Sequence, residues 1–229
     1  MMHSLVNFFQ QWRYLFLLGA LLILLVIQPI VLGFGTMGWL FDALFAFVMV
    51  TLVLTLARDK GWRVIACILC VPAATLSIGS HFLAPTAQEV TLFAGNVIGV
   101  LFFLVVTCKI IQSIFVSRVL SWDSICGAIC GYLLLGVAWG LTFAMIYAVN
   151  PKAFQFGDLI RQQMEQGDYS RNVFIYYSFV TLTTVGYGDI SPLSTPARTL
   201  AWLEAMTGQL YLAILIAGLI SALVTTKKN

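Results

Sequence analysis

The sequence predicts an all-α membrane protein with six transmembrane helices and a re-entrant helix between the fifth and the sixth. Three observations lead there. Hydrophobic residues make up 61% of the 229 and charged residues 9%, against about 25% charged in an ordinary soluble domain. Six apolar stretches meet the ~20 residues that a helix needs to cross a bilayer. A seventh, inside the long 150–196 connection, is too short to span.

The composition also excludes classes of function. The net charge of +3 is small and spread out, so no nucleic-acid partner is expected. The five cysteines (Cys67, Cys70, Cys108, Cys126, Cys130) lie in or beside apolar segments. Cys67 and Cys70 form a C-x-x-C with no second pair and no neighbouring His, which reads as buried small side chains rather than a metal or redox site. His3 and His81 are the only histidines, and neither is a plausible base for a Ser or Cys nucleophile. An enzyme is not expected, and no cofactor.

The expected spans are Tyr14–Leu32, Gly38–Ala57, Trp62–Gly79, Val90–Cys108, Ser124–Val149 and Ala197–Thr225. The first follows Arg13 and precedes no small-residue cleavage site, so it reads as a retained helix. Pro29 and Pro72 are expected to kink or end their helices. The first four spans form an N-terminal unit, residues 1–108. Asp42, early in the second, fits a helix-start carboxylate or a regulatory proton or ion site. Residues 109–123, "KIIQSIFVSRVLSWD", alternate apolar pairs with polar residues and predict an amphipathic linker to a C-terminal unit, 124–229. The fifth span opens "DSICGAICGYLLLGVAW", with small residues on one face for close packing.

Six spans put both termini on one side. That side carries Arg13, Arg58, Lys60, Arg63, Lys109, Arg118, Lys227 and Lys228, eight of the twelve basic residues. The positive-inside rule makes it cytoplasmic. The opposite side holds Glu89, Asp158, Glu165, Asp168 and Asp189 with Lys152, Arg161, Arg171 and Arg198, an acidic lean that concentrates cations at any opening there.

The fifth-to-sixth connection begins "NPKAFQFGD", turns polar, and resumes as "SRNVFIYYSFVTLTT". The second piece predicts a re-entrant helix over 170–183, with Ser170 as N-cap and Asp168 just outside. "TTVGYGDISP" then returns to the outer surface. Non-helical backbone is tolerated at membrane depth only where protein buries it or it lines a watery path.

Thr181-Leu-Thr-Thr-Val-Gly-Tyr-Gly-Asp189 resembles the pore signature T-x-x-T-x-G-Y-G-D of potassium channels, and the order of segments from about residue 120 onward is similar too. The resemblance implies a homotetramer in a lipid bilayer, with four loops around one axial pore. It implies a filter at 184–188, where the carbonyls of Thr184, Val185, Gly186 and Tyr187, with the Thr184 hydroxyl, replace the water shell of K+, the transported ion. Gly186 and Gly188 would supply φ > 0. Val185 and Tyr187 would turn away and pack on the pore helix. Asp189 would bond behind the filter to a pore-helix aromatic. Tyr176 and Tyr177 stand where many members carry tryptophan, and Val180 where some bacterial members place a buried carboxylate. In the inner helix, 197–225, Gly208 matches the family's gating hinge, and a glycine for close helix packing is the alternative. Gly218 is a second hinge candidate. Gln209, Leu212 and Ile216 would face the central cavity.

Glu204 is a membrane carboxylate, costly unless paired or wet. It is expected to support the filter by bonding Thr181 or Thr183, or else to reach the outer interface. Two other functions fit the fold: a cation pore of relaxed selectivity, and a non-conducting membrane sensor or regulatory subunit. About four residues follow the last span, so any soluble regulator is expected on a separate chain. The short loops point to a bacterial plasma membrane. Voltage sensing needs basic residues repeated along the fourth helix, and "VTLFAGNVIGVLFFLVVTC" has none. Bilayer recordings should therefore show a conductance that varies little with voltage; a steep curve carrying several gating charges would contradict this.

Overall fold

The computed structural model describes residues 12–27, 38–55, 60–80, 82–117, 121–165 and 170–226. Pro29, Arg58, His81, Arg118, Asp168, Lys227 and Lys228 lie outside these, as do the side chains of Asp42 and Lys60. The chain is mostly helical. Helix α1 (Arg13–Leu22) continues as a π turn to Ile27, followed by α2 (Gly38–Thr55), α3 (Lys60–Ser80), α4 (Pro85–Ser117) and α5 (Trp122–Val149). A 3-10 turn (Pro151–Ala153), strand β1 (Phe154–Phe156) and short helix α6 (Asp158–Glu165) come next. Then follow α7 (Ser170–Leu182), strand β2 (Ile190–Pro192) and α8 (Thr195–Thr226). Among the described residues four helices are long and apolar enough to cross a membrane: Gly61–Ser80, Ala87–Ile114, Trp122–Val149 and Thr195–Gly218. Within the described residues the first two expected spans give shorter apolar helices, Arg13–Val26 and Leu44–Thr55.

Three expectations need correction. The fold is not purely helical, because β1 and β2 pair antiparallel, with Phe154 opposite Pro192 and Phe156 opposite Ile190. These residues leave no helix to satisfy their main-chain groups, and the ladder does so instead. The Gly157 N–H extends the pairing to the Asp189 carbonyl at 2.8 Å. Of the two outcomes expected at Pro72, an end to the helix is excluded, since α3 runs through it to Ser80. The linker expected at 109–123 has no separate existence over its first nine residues. Helix α4 continues to Ser117, because Ile110 and Ile114, one turn apart, keep the same apolar face in the core.

The core likewise crosses the expected boundary between the N-terminal and C-terminal units. One buried cluster takes Leu17 and Leu21 from α1, Met49 and Leu52 from α2, and Phe102, Phe103 and Val106 from α4. It continues through Leu134 and Leu141 of α5 to Ile175 of α7. A second cluster, under the β-ladder, gathers Phe143, Phe154, Phe174 and Tyr177, with Phe143 and Tyr177 edge to face at 4.9 Å. At one end of the bundle Asp123 accepts the Tyr14 N–H at 2.9 Å and lies 4.0 Å from the Arg13 guanidinium. At the other end Arg171 of α7 donates to the Ser77 hydroxyl of α3 at 3.0 Å. Helix α5 is thus the shared wall, N-capped by Ser121, whose hydroxyl accepts the Ser124 N–H at 3.1 Å.

Close approach to α5 depends on its small residues. A Cβ built on Gly140 would sit 2.8 Å from the Ile175 Cα, and one on Gly136 would sit 2.7 Å from the Phe179 ring. The Ile175 contact is backbone, which cannot rotate aside. Gly140→Ala should therefore destabilise the folded chain by about 1–3 kcal/mol through overpacking. Gly19→Ala, at a helical position with nothing within 4 Å, should be neutral or slightly stabilising. Denaturant titration of both variants in detergent checks this; equal effects would show that the α5–α7 approach is not tight.

Candidate functional site at the end of α7

The last turn of α7 and the segment after it form one hydrogen-bonded unit. Thr184 N–H donates to the Thr181 carbonyl at 2.9 Å. The N–H groups of Val185 and Gly186 both donate to the Val180 carbonyl, at 2.9 and 3.3 Å. Three consecutive amides are therefore tied back to the helix. Along the same stretch the backbone alternates in hand: Thr184, Gly186 and Gly188 have φ of 60, 61 and 79°, while Val185 and Tyr187 have negative φ. An extended strand points successive carbonyls to opposite sides. Alternating left- and right-handed residues turn each peptide back, so successive carbonyls can face the same side.

Glycine takes positive φ without a steric penalty, but threonine does not. Thr184, β-branched, is the one non-glycine residue at positive φ among those described. Such a conformation costs on the order of 1–3 kcal/mol and persists only where the surroundings fix it. Here the three bonds to Val180 and Thr181 do so. The Thr184 hydroxyl donates to the Thr183 carbonyl at 2.7 Å, and the Thr183 hydroxyl to Phe179 at 2.6 Å.

The far end of the segment is held by Asp189. Its Oδ2 accepts the Tyr176 hydroxyl at 2.6 Å and its Oδ1 the Ile190 N–H at 3.0 Å. Burial first, and then the bond to Asp189 and its charge, push the Tyr176 phenol up to about 12, so it stays a donor. Tyr177 has a different part. It is buried among Phe143 and Phe154 and anchors α7 to the aromatic cluster.

Val185 and Tyr187 are 53% and 72% exposed in the single chain. The residues expected to line a cavity, Gln209, Leu212 and Ile216, are exposed on α8 as well. Gly208 is buried against the end of α7. A Cβ there would lie 2.5 Å from the Leu182 carbonyl oxygen, and α8 runs unbroken past it. In this conformation Gly208 serves close packing. Leu182 also accepts the Tyr132 hydroxyl of α5 at 3.3 Å.

Glu204 does not meet Thr181 or Thr183. Fully buried, it is hydrogen-bonded through Oε1 to the Ser178 hydroxyl, which also lies 2.7 Å from the Gly136 carbonyl of α5. The reason is position: Thr183 has left the helix, and the Ser178 hydroxyl faces α8 and α5 together. Ser178 and Gly136 were absent from the sequence expectations. The available signal was a lone serine between aromatic residues of α7.

Residues 131–225, from within α5 through α8, match a family model described as an ion channel. No curated protein and no solved structure matches the chain. The matched stretch contains the whole unit from α7 to Asp189 and two of the helices long and apolar enough to cross a membrane, which points to a membrane protein with an ion-channel-like region.

Proposed function

We propose that the chain is one subunit of a potassium-selective channel, in which four copies surround a pore lined by the carbonyls of Thr184, Val185, Gly186 and Tyr187. The observation that carries this reading is the alternating backbone of the T-V-G-Y-G run, with positive φ at Thr184, Gly186 and Gly188. K+ must shed its water to pass, and a stack of carbonyls facing one side supplies replacement oxygens once four copies close the ring. A single copy offers only one wall of such a cage.

The exposed side chains agree with four copies. Exposed apolar side chains stand on two sides of α8, Leu210 and Ile214 on one and Leu212 and Ile216 on the other; neighbouring subunits and lipid would cover the first, and the second would face the central cavity. In the full assembly each chain crosses the membrane six times with both termini cytoplasmic, α7 re-enters from outside, and conduction is passive.

Purified protein in liposomes should take up rubidium, with uptake blocked by barium and no entry of sodium. Sodium entry at a similar rate would replace the selective pore with a general cation pore, and absence of any flux would overturn conduction. Gly186→Ala, which forces a Cβ into the left-handed region at a cost of about 1–2 kcal/mol, should abolish rubidium flux. Tyr176→Phe removes one hydrogen bond to a charged acceptor, worth about 1.5–3 kcal/mol. It should leave the selectivity intact while current decays several-fold faster during sustained opening; unchanged decay would show that Asp189 needs no tie to α7.

A further inference from the structure

Three oxygens lie in a row behind the T-V-G-Y-G segment: the Gly136 carbonyl of α5, the Ser178 Oγ of α7 and the Glu204 Oε1 of α8. The serine oxygen is within hydrogen-bond reach of both neighbours. A carbonyl can only accept, and a serine hydroxyl carries one proton. Two O···O contacts therefore need two protons, and Ser178 supplies one. With an ionised Glu204, one of the two contacts would press lone pair against lone pair. The second proton must sit on the Glu204 carboxyl.

We infer that Glu204 is held as a neutral carboxylic acid that donates to Ser178, which in turn donates to Gly136, so that one relay of hydrogen bonds pins α8 to α7 and α5. The surroundings agree. Glu204 is fully buried, and its Oε2 has no hydrogen-bond partner among the described residues. A charge there would be unanswered, at a cost far above that of a neutral acid. The titratable groups facing it are Tyr132 of α5 and Tyr177 of α7, and the Arg13–Asp123 ion pair is at the opposite end of α5. One turn along α8, Gly208 touches the Leu182 carbonyl. Glu204 and Gly208 thus fix both ends of the last turns of α7, which makes Glu204 a positioning residue for the segment that α7 carries.

The proton count stands apart from conduction; the positioning role rests on the proposed channel function. Infrared spectra of the protein in lipid at neutral pH read the first. The difference between wild type and Glu204→Gln should contain the C=O stretch of a protonated carboxyl, shifted by deuterium. In Ser178→Ala the same band should move to higher frequency, as its acceptor is lost. Carboxylate bands alone in the difference, or no shift in Ser178→Ala, would overturn the relay. Rubidium uptake reads the second. Glu204→Gln, whose amide N–H can replace the acid O–H, should stay within about twofold of wild type, while Ser178→Ala should lose about tenfold, the worth of a buried hydrogen bond. Uptake by Ser178→Ala equal to wild type would remove the positioning role. No uptake by the wild type would count against the channel reading, and the infrared result would still decide the protonation of Glu204.

Discussion

The bonds that carry the N–H groups of Thr184, Val185 and Gly186 back to the last turn of α7 are the constraint on which the rest of the structure depends. An amide left unpaired away from water is costly, and these three are engaged by two carbonyls that a helix end leaves free. Their own carbonyls are then free to face elsewhere. The same bonds hold Thr184 in a conformation that a β-branched residue otherwise avoids. A segment so placed is only as steady as the helix behind it.

That helix is fixed from three directions by contacts of different kinds. Glycines at 136 and 140 let α5 approach so closely that side chain meets backbone. Arg171 reaches Ser77 of α3 and ties the start of α7 to the N-terminal helices. On the third side, α8 offers Glu204 to Ser178 and Gly208 to Leu182. Because one core cluster runs from α1 through α5 to Ile175, the N-terminal helices form part of the same packed body as α7. The N-terminal helices are thus coupled by packing, through α5, to the helix that carries the segment.

Much of the fold was legible because hydrophobic length is a strong signal: α3, α4, α5 and α8 were all visible as apolar stretches. The true end of α4 was not, because Lys109 and Gln112 mimic a surface linker while Ile110 and Ile114 keep their face in the core. The β-ladder escaped notice because three residues on each strand carry no periodic pattern. At the site, the T-V-G-Y-G-D run and its neighbour Tyr176 were local enough to single out. The partner of Glu204 was not, since it depends on how α8 packs against α7, where Gly208 meets the Leu182 carbonyl. The exposure of Val185 and Tyr187 was equally hidden, because their packing is not settled within one chain.

The central claim is that the carbonyls of Thr184 to Tyr187 line one axis shared by four copies. Diffraction from crystals grown with thallium in place of potassium tests it most directly. A row of anomalous peaks on a fourfold axis, each at coordination distance from these carbonyls, is the predicted result. Four chains around an axis with no peak beside residues 184–187, or a crystal and solution state other than a tetramer, would contradict it.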